Sequence, residues 1–312
     1  MTPVAAIDCG TNSIRLLIAE PAAGGGLVDL ERRTEIVRLG QGVDATGEFH
    51  RDALVRTFTA IDAYAERIRQ AGVPVDRIQF VATSASRDAR NRDAFFAGVR
   101  QRLGVTPNVI TGDREAQLSF TGALSRVRPE GEPVLVMDIG GGSTEFIVGT
   151  ADGGMSFAVS LDIGSVRITE RFLKTSPPTA ADLASAAAFV DRLLDSSAVD
   201  FGTIGTWIGV AGTATTLAGV YLELAEYDRE RVHGASIPSG DLAALLERLS
   251  TLTVEQIRAV PSMHPGRADV ITGGTLIASR VAARTPVPDM IVSESDILDG
   301  IALELLHTDL SA

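Results

Sequence analysis

A duplicated α/β fold is predicted by three features of this 312-residue sequence. Short apolar runs of strand type alternate with stretches of helical periodicity. A strand, an acidic residue followed by glycine and hydroxyl residues, and a second strand occur near residue 8 and again near residue 138. The strand-to-helix junctions after each copy recur in the same order, as an internal repeat requires. The length suits about two domains, and 45% hydrophobic with 22% charged residues is an ordinary globular balance.

The first copy runs from Val4–Ile7 into Asp8-Cys-Gly-Thr-Asn-Ser13 and resumes as Ile14-Arg-Leu-Leu-Ile18. The second runs from Val134–Met137 into Asp138-Ile-Gly-Gly-Gly-Ser-Thr-Glu145 and resumes as Phe146-Ile-Val148. Without a gap, Asp8 aligns with Asp138, Gly10 with Gly140 and Ser13 with Ser143. Both stretches read as tight hairpins. Gly140, Gly141 and Gly142 present main-chain N–H groups with no Cβ in the way, which makes a concave anion site of the kind that cradles phosphate. Asp138, at the strand end, is placed to hold a divalent cation against that phosphate. The alternative is a glycine-rich hairpin with an ordinary turn aspartate.

Further along, Phe80-Val-Ala-Thr-Ser-Ala-Ser-Arg-Asp88 is a strand entering a small-residue turn and a helix, and Trp207-Ile-Gly-Val-Ala-Gly-Thr-Ala-Thr-Thr216 repeats that shape. Val109-Ile-Thr-Gly112 is answered by Met290-Ile-Val-Ser293. Each half therefore reads as a mainly parallel sheet with helices. Arg51–Gln70 has helical periodicity, with Leu54, Val55, Phe58, Ile61, Tyr64, Ala65 and Ile68 on one face, and a second helix is expected from Thr179 to Leu194 behind a Thr-Ala-Ala-Asp cap. Arg126–Pro133 is the best linker. The domains are accordingly 1–127 and 128–298, with a final helix, about Ile297 to His307, returning so that 299–312 completes the first. Two such halves would set their loops at strand ends across a cleft, with phosphate between them and the helix starts after Thr83–Ser86 and Gly212–Thr215 adding positive dipole ends.

A net charge of −12 and a pI near 4.8 argue against tracking a nucleic-acid backbone, so a polyanionic ligand would need local arginines, amides and a metal ion. Cys9 is the single cysteine, which excludes an internal disulfide and fits a reducing, cytoplasmic setting. No metal-type Cys/His spacing exists, and Cys9 has no histidine near it in sequence. Phe201–Leu222 carries no charge, but its five glycines suit a buried strand, a turn and a helix start better than a membrane span. His233 reads as a structural histidine, and Arg90 and Arg92 as a solvated helix face.

These residues resemble the exopolyphosphatase and guanosine pentaphosphate phosphohydrolase family, within the actin-like/Hsp70/sugar-kinase superfamily. The resemblance runs through Asp8-x-Gly-Thr-Asn-Ser-x-Arg15, Thr83-Ser-Ala-x-Arg87, Thr111-Gly-x-x-Glu-Ala116, Asp138-Ile-Gly-Gly-Gly-Ser-Thr-Glu145, Gly209-x-Ala-Gly-Thr-Ala214 and Arg267-Ala-Asp-Val270 to Ser293, nearly the whole chain. It implies two duplicated actin-like ATPase (ribonuclease H-like) domains and Mg²⁺- or Mn²⁺-dependent hydrolysis of the terminal phosphate of inorganic polyphosphate, of guanosine pentaphosphate, or of both. By the same resemblance Glu115 is the catalytic base, and Asp138 and Glu145 belong to the metal and water site. Asp8, Gly10, Thr11, Asn12, Ser13, Arg15, Arg87, Gly140, Gly141, Gly142, Ser143, Thr144, Gly212, Thr213 and Arg267 are the expected substrate contacts. On sequence alone Glu115 reads first as a capping or solvent-facing helix glutamate, a reading that its position in the family motif reverses, and Arg15 could serve only to pair a carboxylate. Long family members carry extra C-terminal helical domains, so the resemblance also implies a preference for short chains, and a homodimer is expected. The rivals are an ATP-using kinase or ATPase of the same fold, and a noncatalytic sensor or filament protein.

Overall fold

The computed structural model describes residues 2–22 and 26–310. The chain separates into two compact units, one comprising the residues up to Ser125 together with those from Ile297 onward, the other Arg126–Asp296.

The first unit contains β1 (Val4–Cys9), β2 (Ser13–Pro21), β3 (Leu27–Ile36), α1 (Val43–Thr46), α2 (Arg51–Gln70), β4 (Ile78–Ala82), α3 (Ser84–Asp88), α4 (Arg92–Leu103), β5 (Asn108–Val109) and α5 (Gly112–Leu124). The second contains β6 (Val134–Ile139), β7 (Thr144–Gly149), β8 (Met155–Leu161), α6 (Ser165–Phe172), α7 (Ala180–Asp195), β9 (Thr206–Val210), α8 (Ala211–Tyr221), α9 (Arg229–Val232), β10 (Ser236–Pro238), α10 (Ser239–Ser250), α11 (Val254–Arg258), α12 (Ile271–Ala282) and β11 (Asp289–Val292). The last helix, α13 (Ile297–Leu310), belongs to the first unit.

In the first sheet the order is β3-β2-β1-β4-β5, antiparallel from β3 to β1 and parallel from β1 to β5. Strand β1 is buried on both faces, as a central strand of an α/β sheet should be. Ala5, Ile7 and Cys9 pack under α2 and α4, while Val4 and Ala6 pack with Leu118 of α5 and Ile301 of α13. Helix α13 lies so close to α5 that a Cβ on Gly300 would fall 2.1 Å from the Leu118 carbonyl oxygen. It is fixed to β3 by a two-pronged pair in which Arg32 donates to both oxygens of the fully buried Asp299 at 2.9 Å.

The second sheet has the order β10-β11-β9-β6-β7-β8, with β11-β9-β6 parallel and the other pairs antiparallel. Its core gathers Leu135, Met137 and Phe146 with Trp207 and residues of α7, α10 and α12. Helix α7 starts with the expected capping box, Thr179 and Asp182 bonding each other's backbone N–H.

Two expectations need correction. The sheets are mixed rather than mainly parallel, because β3 and β8 each extend a hairpin by a third antiparallel strand. Val55 is 57% exposed and lies off the buried face of α2, which is formed by Ala53, Thr57, Ala60, Ile61, Tyr64, Ala65 and Ile68.

Candidate active site

The two hairpins are built alike. In the first, the Gly10 N–H donates to the Ser13 carbonyl at 3.0 Å; in the second, the Gly140 N–H donates to the Ser143 carbonyl at 3.0 Å. Asp8 stands opposite Arg15 in register, and Asp138 stands opposite Glu145. One fold position thus carries a cation in one unit and an anion in the other.

What turns the triple glycine into an anion site is α6. The N–H groups of Ser165, Val166 and Arg167 donate to the carbonyls of Gly140 and Gly141 at 2.9–3.1 Å, and Arg167 Nε donates to the Gly142 carbonyl at 2.7 Å. A trans peptide holds its N–H and C=O antiparallel, so pulling these carbonyls toward α6 points the N–H groups of Gly141, Gly142 and Ser143 away from it. Successive N–H groups on one side of a turn form an anion nest. Gly164 makes the approach possible, since a Cβ there would lie 2.4 Å from the Gly141 carbonyl. The first hairpin follows the same logic. Gly40 donates to the Thr11 carbonyl at 2.9 Å, and Val37 and Arg38 donate to that of Asn12 at 3.1 and 2.8 Å, so the N–H groups of Asn12 and Ser13 are turned away from residues 37–40. The Thr11 and Ser84 hydroxyls share a hydrogen bond of 3.0 Å.

The other expected residues fall into two groups. Some face their own neighbours: Arg15 grips Asp8 with Nε at 3.1 Å and its second amine at 2.6 Å, Thr144 donates its hydroxyl to the Ile163 carbonyl, and Thr213 donates to the Ile139 carbonyl at 2.9 Å. Arg267 lies on Gly212, donating to its carbonyl at 2.8 Å and to the Thr216 hydroxyl at 2.9 Å. Others carry charge in buried positions. Glu115, in the first turns of α5 behind the Thr111 cap, is 8% exposed and accepts from Arg87 at 2.9 Å, and Arg87 also donates to the Ile110 carbonyl at 3.0 Å. That partner supports an oriented, buried carboxylate rather than a solvated helix glutamate.

Asp138 and Glu145 lie on the sheet face opposite Met137 and Phe146, and both are buried. Like charges directly across a strand pair repel. Glu145 also accepts from the Ser160 hydroxyl at 2.6 Å. Among the described residues no three or more His, Cys, Asp or Glu side chains are grouped to hold a metal. Two oxygen donors are nonetheless the set that Mg²⁺ uses when waters and phosphate oxygens complete its shell, so the residues present fit such an ion.

Cys9 is buried, and burial, followed by the Asp8 charge, pushes its thiol well above the ordinary range, so it is a packing residue. Burial lowers the His233 pKa, and its Nδ1 accepts from the Glu294 N–H at 3.2 Å, the contact of a structural histidine.

The sequence profile of the Ppx/GppA phosphatase family matches residues 17–309. The chain belongs to the Ppx/GppA phosphatase family. This Ppx/GppA chain is 46% identical over 319 residues to Exopolyphosphatase 2 of Mycobacterium tuberculosis, covering 98% of this chain and 99% of that protein. It is 40% identical to an exopolyphosphatase-like protein of known crystal structure, with a TM-score of 0.93 over 100% of this chain and 99% of the other. An exopolyphosphatase structure from Cytophaga hutchinsonii is 25% identical with a TM-score of 0.88, covering 99% and 98%. The fold is the actin-like α/β fold of that family, as the sequence motifs imply. Residue-level reading missed Gly164, Ser165 and Arg167, which shape the Ppx/GppA glycine loop from behind. The Gly-Ser pair ending the run Leu161-Asp-Ile-Gly-Ser165 was the available signal.

Proposed function

We propose that the chain is an exopolyphosphatase that hydrolyses the terminal phosphate of inorganic polyphosphate, with guanosine pentaphosphate as a second substrate. The observation that carries this reading is the nest at Gly141–Ser143 beside the buried, in-register carboxylates Asp138 and Glu145. A polyanion and its counter-cation are the ligands such a pair of features suits.

In this reading Asp138 and Glu145 hold Mg²⁺ or Mn²⁺, which when bound supplies positive charge to the phosphoryl oxygens. Glu115, held by Arg87, orients a water and takes its proton as the water oxygen attacks the terminal phosphorus in line. The bond from that phosphorus to the bridging oxygen breaks, and the shortened chain leaves with the electron pair as a phosphate oxyanion. The N–H groups of Gly141, Gly142, Ser143, Asn12 and Ser13 spread donors over the phosphates, and Asp8, fixed by Arg15, keeps the first hairpin's loop in place. Gly10 and Gly140 close the two turns, while Thr11, Thr144, Gly212, Thr213 and Arg267 complete the phosphate-facing loops. The buried single cysteine suits a reducing compartment. A homodimer is the assembly proposed, read by light scattering.

The test offers purified protein with Mg²⁺ polyphosphate, guanosine pentaphosphate and ATP in parallel and measures released orthophosphate. Release from polyphosphate with no nucleotide present is expected. Release from ATP alone would point to the kinase or ATPase reading, and binding without any release to a sensor.

A further inference from the structure

The second unit has a separate pocket of about 240 Å³ that contains none of the residues assigned above. The end of α6 contributes Leu173 and Lys174, α11 contributes Val254 and Ile257, and the approach to α12 and its first turn contribute Ala268 and Thr272. Lys174 is the sole lysine of the chain. Its ammonium donates to the Glu170 carbonyl, and among the described residues no carboxylate pairs with it. An ammonium has three donors, so two remain for a guest. Across the pocket stand Asp269 and Thr272, on either side of the α12 start. The rest of the wall mixes Leu173, Leu252, Val254, Ile257 and Ala268 with hydroxyl residues.

We propose that this pocket binds a small organic monocarboxylate, its carboxylate on Lys174 and its apolar body against Leu173, Ile257 and Ala268. Lys174 is the one cationic side chain of the lining and Asp269 an acidic one, so a second negative charge, as on a phosphate monoester, would find no partner in the pocket. The body must be small, since 240 Å³ is below the usual range for drug-sized ligands.

The position of the pocket gives its occupant leverage. The α12 turn that lines it also backs both anion loops of this unit: a Cβ on Gly273 would sit 2.8 Å from the Ser165 carbonyl oxygen, and one on Gly274 would sit 2.5 Å from Thr213 Cγ2. Ser165 holds the Gly140 carbonyl and Thr213 holds that of Ile139. A guest held on Lys174 and packed against Ala268, at the approach to α12, therefore tightens the backing of residues 140–142 and 211–216, and the two events share one coupling free energy. Neither statement depends on the exopolyphosphatase reading.

The test uses the intact protein and two fluorinated probes at millimolar concentration, 4-(trifluoromethyl)benzoate and its neutral amide, read by ¹⁹F line width. Benzoate broadens and the amide does not; Lys174→Met, on the exposed rim and with parental thermal stability, weakens benzoate binding at least about ten-fold, the loss of one charge-assisted hydrogen bond, while Lys174→Arg retains it. With benzoate at saturation, amide exchange in peptides covering 211–216 slows in the parent and not in Lys174→Met. Equal binding of the amide, parental binding by Lys174→Met, or no broadening at all overturns the site. Binding without slowed exchange overturns the coupling.

Discussion

Arg15 and Glu145 occupy the same place in two copies of one hairpin and have opposite charge. In the first unit the guanidinium pairs with Asp8 from within the chain; in the second the glutamate doubles the charge of Asp138, which suits the bound cation proposed above. Two predictions follow at this scale. Arg15→Met, which strips Asp8 of its guanidinium in a buried setting, should cost about 3 kcal/mol, measured by urea unfolding; an unchanged midpoint would contradict the assignment. Adding Mg²⁺ should raise the melting temperature of the parent protein, and Asp138→Asn should shrink that rise while leaving the metal-free melting temperature no lower. An equal rise in both proteins would place the ion elsewhere. The sequence made Asp138 and the glycines legible because so few residue types can serve there. It left the task of Arg15 open because pairing with Asp8 depends on register, which is a property of two strands together.

Elements differ in how much of their role one stretch of sequence reveals. Helix α7 declared its start through the Thr179–Asp182 box. In α2 the periodicity was right but Val55 fell on the wet side, since a stripe of apolar residues is wider than the face a sheet can cover. Strands β3 and β8 went unread because they are edge strands, with partly exposed residues such as Leu30 and Met155 and polar ones between. Helix α6 shapes the glycine loop mostly through backbone N–H groups, which every residue has, so beyond the Gly164-Ser165 pair the sequence carries little trace of it. Its contact should be sensitive to Gly164→Ala: the added Cβ meets the Gly141 backbone at 2.4 Å, and overpacking of this kind costs about 1–3 kcal/mol. Calorimetry showing parental stability and parental anion binding would refute that close approach.

Helix α7 is also joined to α12 by charge. Asp191 accepts from Arg280 at two oxygens, each at 2.8 Å, and lies 3.0 Å from Arg284. Burial alone would raise the Asp191 carboxyl, but the hydrogen bonds and charge of the two arginines hold it below its ordinary value. A carboxyl with a depressed folded pKa adds stability that is present above the unfolded value of about 3.9 and is lost as the pH falls through the folded one. Asp191→Asn should therefore lose about 1 kcal/mol at neutral pH and show a shallower stability decline than the parent below about pH 4. Identical acid limbs in chemical unfolding curves would remove the network from the account.

For the molecule as a whole, the net charge of −12 sets the terms on which a polyanion arrives. Long-range repulsion is screened by salt while short contacts inside a site are screened less. The association of long polyphosphate should therefore quicken as NaCl rises from about 20 to about 150 mM, over which the Debye length falls to roughly 8 Å; a basic nucleic-acid binder does the reverse. A steady fall in kcat/KM over that range would show that exposed cations dominate capture. Among the described residues no helix is long and apolar enough to cross a membrane, and Phe201–Leu222, the one uncharged stretch of that length, folds as a turn, β9 and α8. The duplication was the most legible feature of the whole, because paired motifs in the same order survive where single motifs do not.

The most direct test is Glu115→Gln, assayed side by side with the parent for polyphosphate binding and for single-phosphate release in Mg²⁺. Binding within about two-fold of the parent is expected, with turnover reduced by about 10²–10⁴, the range for removing a general base. Release at the parental rate from a folded Glu115→Gln protein would contradict that role.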